Sequence, residues 1–135
     1  MVACTDRLVA EFVAWCQQQP FYKDTAIVIT GDHPRMDTYL VDGASYYDRT
    51  VYNCFINSAV SGEELTGREF THMDIFPTTL AALGYHIDGE CLGLGTNLFS
   101  GQPTLAEEKG FDWVQGEVSK SSRYYLETFA PELAG

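Results

Sequence analysis

The sequence predicts an α/β architecture whose sheet is incomplete on its own, and three observations lead there. An apolar stripe at helical spacing runs straight into a short β-branched stretch, Thr25-Ala26-Ile27-Val28-Ile29-Thr30. A second β-rich run at 50–57 is followed by a helix-start pattern near Asp74. Helix, strand, strand and helix in that order imply layers of helix on sheet. The third observation is a shortage. Only two strand-like runs precede residue 111, and two strands alone make a poor parallel sheet. Either residues 111–127 add strands or the sheet is completed elsewhere.

Residues 5–19 form the first element. Leu8, Val9, Phe12, Val13, Trp15 and Cys16 recur at helical spacing, and Pro20 stops the run. The stretch at 25–30 reads as a strand buried on both faces, as in the middle of a parallel sheet, ended by Gly31. Residues 34–48 are polar, with Pro34 and Gly43, and read as a long loop of the kind that often carries function. Thr50-Val51-Tyr52-Asn53-Cys54-Phe55-Ile56-Asn57 is the second strand, and 58–68 a connection. Asp74 is expected to cap a helix reaching Leu83, with Pro77 in its first turn and Gly84 at its stop. Glycines make 85–102 mostly irregular. Thr104 and Glu107 have capping-box spacing for a short helix. Residues 111–118 stay ambiguous, and 120–129 fit a helix or an edge strand.

Composition narrows the class. Apolar residues make up 45% of the 135, enough for a core and too many for a disordered chain. The net charge of −11 disfavours nucleic acid and anionic membrane surfaces as partners. No apolar run approaches the roughly 20 residues of a membrane span, and no signal-peptide pattern follows Met1, so the chain as given is expected to be soluble. None of the four cysteines (Cys4, Cys16, Cys54, Cys91) has zinc-ligand spacing. Cys4 and Cys16, twelve residues apart on one helix, are separated by roughly 18 Å, too far for a disulfide. Free thiols are expected, with Cys16 and Cys54 serving as small hydrophobes.

The chemistry concentrates at Thr30-Gly31-Asp32-His33, directly after the first strand. Ligands in α/β sheets sit at the carboxyl ends of strands. A hard carboxylate oxygen and a borderline imidazole nitrogen suit Mn²⁺ or Zn²⁺, although Gly-Asp is also ordinary turn chemistry. In Thr71-His72-Met73-Asp74-Ile75-Phe76-Pro77-Thr78, His72 is a candidate ligand or acid/base group, although such a histidine is more often a satisfied polar residue beside a helix start. Arg35 has the chemistry to clamp a phosphate or sulfate oxygen; Asp37 and Arg49 are lesser candidates, and His86 is expected at the surface. Leu92-Gly93-Leu94-Gly95-Thr96-Asn97-Leu98-Phe99-Ser100 does not match a dinucleotide glycine motif and reads as a tight apolar loop.

Taken together, these segments resemble the sulfatase-like branch of the alkaline phosphatase superfamily. The strand with Gly31-Asp32-His33 looks like that family's metal-ligand turn. The stretch from His72 to Thr78, with Leu80 and Leu83-Gly84, is similar to its helix-start motif. The segment from Leu92 to Phe99, with Gln102-Pro103-Thr104-Leu105, resembles the tail of bacterial phosphoglycerol transferases and their lipoteichoic acid synthase relatives. The match covers most of residues 5–110, leaving 111–135 as a tail.

The resemblance implies a partial sulfatase-like sheet with flanking helices, and a chain that forms the C-terminal portion of a catalytic domain. It implies that Asp32 and His33 are two of four ligands to one divalent cation, usually manganese. The family's nucleophilic Thr, which forms a covalent phospho-enzyme, and its acidic ligand lie well upstream of such a pair, and this chain has no counterpart of that strand-Thr-helix element. The expectation is therefore a chain inert by itself. Its partners would be the rest of the parent catalytic domain and a lipid or glycan phosphoglycerol substrate, with Arg35 and His72 toward substrate. The parent domain would face outward from the cytoplasmic membrane. An exposed strand edge and apolar face would favour homo-oligomers. A sulfatase or phosphodiesterase parent, or a stand-alone binding or assembly module on the same fold, are the competing readings.

Overall fold

A computed structural model describes residues 2–33, 50–62 and 66–133. The loop expected at 34–48, with Arg35 and Asp37, and Arg49 beside it, lies outside the described residues. Helix α1 spans Val2–Gln17, and Pro20 opens a 3-10 turn, Pro20–Asp24, rather than simply ending the helix. Strand β1 (Ile27–Thr30) pairs antiparallel with β2 (Asn53–Ile56), Ile27 opposite Ile56 and Thr30 opposite Asn53. Helix α2 is His72–Ala82. A small hairpin, β3 (Cys91–Leu92) with β4 (Gly95–Thr96), follows. Then come α3 (Leu105–Lys109), α4 (Phe111–Val118) and α5 (Arg123–Phe129).

The chain is thus mixed helix and sheet, as expected, with two corrections around the first strand. The partner of β1 runs antiparallel, and β1 is half-buried on both faces instead of enclosed. The β-branched run is genuine, but Ile27, Val28 and Ile29 stay only half-buried. Residues 111–129 resolve to helix, so they add no strand to the sheet.

The packed centre lies between α2, the hairpin and α3. Ala81, Ala82, Ile87, Leu98, Ala106 and Val114 are its buried apolar residues. They are mostly small because the elements approach closely. Proline at position 77 leaves the Met73 carbonyl without its usual donor one turn on. Gly95 comes down on that same oxygen, so near that a Cβ on Gly95 would stand 1.9 Å from it.

The start of α2 differs from expectation. The N-cap is Thr71, not Asp74. Asp74 is the third helical residue, and its carboxylate reaches back to the Thr71 amide (2.7 Å) in a reciprocal capping box. Pro77 therefore sits beyond the first turn. The helix ends as expected. Gly84 takes a left-handed φ of 86°, and the amides of Gly84 and Tyr85 bond back to the Ala81 and Leu80 carbonyls, closing a Schellman motif. Thr104 caps α3 with Glu107 in the anticipated box.

Three links tie the β1–β2 ladder to this centre. Ala59 donates its amide to the Ala82 carbonyl (2.8 Å). Phe55 meets Phe99 edge to face. The third link involves His72.

Candidate functional site

Strand β1 delivers Gly31, Asp32 and His33 at its carboxyl end. The ladder continues one residue past Thr30, since the Gly31 amide donates to the Tyr52 carbonyl (2.9 Å). Glycine suits the close approach here: a Cβ would meet the Val51 side chain at 3.0 Å, tighter than ordinary van der Waals contact. The chain then turns, and the His33 amide donates to Asp32 Oδ1 (3.0 Å). This turn aims both side chains one way. His33 Nε2 and Asp32 Oδ2 stand 3.5 Å apart, and both side chains are largely exposed.

That spacing fits a shared ion. Two ligands about 2.1 Å from one metal, at a tetrahedral angle, lie about 3.4 Å apart. The donor set, one carboxylate and one imidazole, also fits Mn²⁺ or Zn²⁺. It supplies two ligands. No group of three or more His, Cys, Asp or Glu side chains able to hold a metal occurs among the described residues.

The structure brings His72 to this turn from a distant part of the sequence. Its Nε2 lies 2.7 Å from the Gly31 carbonyl oxygen. His72 also borders an open cleft of about 630 Å³ between β2 and the start of α2, lined further by Val51, Asn53, Phe70, Ile75 and Phe111. Arg35, Asp37 and Arg49 cannot be placed, lying outside the described residues. His86 is at the surface, near Asp88, far along the chain from the turn.

Two groups carry more of the local architecture than sequence reasoning assigned them, Asp74 having been read only as a helix cap. Asp74 is buried, and its second oxygen accepts the Thr96 amide (2.7 Å), so it staples the hairpin to α2. Thr78 extends the staple by accepting the Leu98 amide (3.0 Å) while donating to the Asp74 carbonyl (2.6 Å). Arg68 lines the same cleft, but its guanidinium is committed. It holds Glu107 through two bonds, 2.6 and 2.8 Å, and donates to the Leu98 and Gln102 carbonyls. The Thr71-x-x-Asp74 spacing was the available signal for the first group. Nothing local marks Arg68, whose partner is 39 residues away.

Known proteins give this geometry a context. Over 101 residues the chain is 30% identical to phosphoglycerol transferase I of Salmonella choleraesuis (strain SC-B67), an alignment covering 75% of this chain and 13% of the relative. The proteins of the same name from Salmonella paratyphi B and Salmonella typhi are 29% identical over the same length and shares. The chain is a distant relative of phosphoglycerol transferase I. It spans about 13% of the length of these curated relatives. No family model matches the chain. No solved structure matches it either. The four free cysteines agree with the thiols expected from their spacing, although only Cys16 is fully buried. No helix among the described residues is long and apolar enough to cross a membrane.

Proposed function

We propose that this chain supplies the Asp-His half of the metal site of a phosphoglycerol transferase acting on cell-envelope glycan or lipid, as the C-terminal portion of its catalytic domain. The observation that carries the reading is the turn after β1. Asp32 and His33 present an oxygen and a nitrogen 3.5 Å apart at the carboxyl end of a strand.

In this reading Asp32 and His33 hold one divalent ion, manganese by the family resemblance. The ion would supply positive charge that lowers the pKa of a nucleophile and offsets charge on the transferring phosphoryl group. The remaining ligands and the nucleophilic Thr belong to the parent domain outside this chain. Gly31 lets the strand end pass close to Val51, and the Asp32 side chain fixes the His33 amide, so this chain's own work is to aim two ligands. Arg35 is assigned to an oxygen of the transferring group, and His72 to the substrate side of the cleft it borders. Assembly with the rest of the domain would place the site on the outward face of the cytoplasmic membrane.

Two ligands bind a divalent ion weakly compared with four. The chain alone is therefore expected to bind Mn²⁺ weakly in calorimetry and to turn over neither a phosphoglycerol lipid nor a p-nitrophenyl ester. Metal-dependent turnover by the isolated chain would overturn the reading. The positive test is a chimera in which this chain replaces the matching segment of the Salmonella phosphoglycerol transferase I. Phosphoglycerol transfer should survive the exchange and be lost on Asp32→Ala/His33→Ala. A folded chimera whose transfer is indifferent to that double substitution would refute the assignment.

A further inference from the structure

His72 does a task that neither the resemblance nor the comparisons assign. Its Nε2 approaches the Gly31 carbonyl oxygen at 2.7 Å. A carbonyl oxygen can only accept, so Nε2 must carry the proton. The bond spans 41 residues of sequence and joins two different elements. Gly31 is the residue immediately before Asp32, and His72 is the first residue of α2. The opposite end of that helix turn is immobilised by the Thr71–Asp74 capping box and by Asp74's hold on the hairpin. The histidine is thus anchored at its base by the best-packed part of the molecule, while its ring reaches out to the metal-ligand turn.

We propose that His72 is a positioning residue: its Nε2–H clamps the Gly31 carbonyl and so fixes the direction in which Asp32 and His33 leave β1. This deepens the metal-site reading and rests on it for its purpose, though not for its geometry. The clamp adds a hold from α2 to two that come from the strands, the Gly31 amide bond to Tyr52 (2.9 Å) and a long bond (3.4 Å) from the neighbouring Thr30 hydroxyl to the Gly31 carbonyl. With it, both polar groups of Gly31 are engaged, the amide by β2 and the carbonyl by α2. A ligand pair held by hydrogen bonds behind it keeps its aim without reorganising when an ion arrives. The clamp also limits what else His72 does. In the neutral ring the remaining nitrogen, Nδ1, is an acceptor. It suits a hydroxyl group in the cleft and not an anionic phosphoryl oxygen, and Nε2 is not available as a third metal ligand.

The test is NMR on the whole chain, first without metal. The His72 ring should show the Nε2-protonated tautomer. In His72→Phe, which keeps a ring but no donor, the Gly31, Asp32 and His33 amide resonances should move together. Those of Ala59 and Tyr85, which report the α2 attachment and its C-cap, should stay in place. His72→Gln, whose side-chain amide reaches a similar position and donates, should restore the Asp32 and His33 resonances. An Nδ1-protonated ring, or a turn unmoved in His72→Phe, would overturn the clamp. Adding MnCl₂ separates this from the parent reading. Paramagnetic broadening confined to Asp32 and His33 reports the ion site independently of the tautomer. Broadening without the Nε2 tautomer sinks the clamp alone, whereas the tautomer and the His72→Phe shifts without broadening leave the clamp standing and sink the metal reading.

Discussion

Glu107 shows how much one side chain can organise when its partners come from several segments. The Arg68 guanidinium hydrogen-bonds its carboxylate and holds its pKa down to about 2, from an ordinary 4.5. Burial opposes this, and the Thr104 and Glu69 amides add to it. The folded value lies below the unfolded one. The pair therefore stabilises fully above about pH 5, and that stability drains away as pH falls from about 4.5 toward 2. A shift of this size would correspond to about 3 kcal/mol if unscreened. The carboxylate side chain is 23% exposed, so solvent reduces this to about 1–2 kcal/mol. Urea unfolding of Glu107→Gln should show that deficit at pH 7 and less than half of it at pH 3. A gap that does not change with pH would mean the charge contributes nothing. Another carboxylate, Asp74, works through geometry: three hydrogen bonds from two segments converge on it, from the Thr71 amide and hydroxyl and from the Thr96 amide.

At the scale of elements, the hairpin and α2 act as one unit because their backbones touch. Gly95→Ala would drive a methyl into the Met73 carbonyl, a rigid backbone atom 1.9 Å away. Relief requires lifting β4 from α2, which breaks the Thr96–Asp74 and Leu98–Thr78 bonds. The expected cost is about 3 kcal/mol or more, read as a lower urea midpoint. Gly101→Ala, with nothing within 4 Å of the new methyl, is the control and should change stability by less than about 0.5 kcal/mol. This unit also shows what the sequence could and could not disclose. Elements with local signals were legible: the α1 stripe, the β-branched run of β1, Gly84 at the helix stop, the Thr104–Glu107 box. The place of Asp32 and His33 at the end of β1 was legible for the same reason, since a strand and its turn are adjacent in sequence. What stayed hidden depended on distance along the chain. The antiparallel pairing of β1 with β2 is set by register across 23 residues, as in the Thr30–Asn53 contact. The His72–Gly31 bond and the Arg68–Glu107 pair are equally non-local. The N-cap was misplaced by three residues because Thr71 and Asp74 are both capping types, and only the hydrogen bonds tell the cap from its reciprocal partner.

For the whole molecule the telling feature is apolar surface with nothing on it. Helix α1 buries Cys16 yet leaves Leu8, Phe12 and Trp15 each more than half exposed. Phe12 stacks on Trp15, and Trp15 meets Phe21 edge-on, so these side chains form one continuous patch. Aromatic rings offer about 150–250 Å² each, and a half-exposed cluster of them leaves a few hundred Å² of apolar area, the range that marks an interface. Close by in sequence, β1 pairs only with β2 among the described residues, which leaves its other edge without a ladder partner there. In the parent domain proposed above, both surfaces would face the remainder of the sheet and its helices. In the isolated chain the same surfaces have only a second copy to meet. Light scattering should therefore show a concentration-dependent dimer at neutral pH. Replacing Leu8 and Phe12 by Glu should weaken it at least tenfold, because each buried charge opposes association while the exposed helix tolerates it. A wild-type chain that stays monomeric at high concentration would mean that the patch is satisfied within one molecule and that no second surface is needed to cover it.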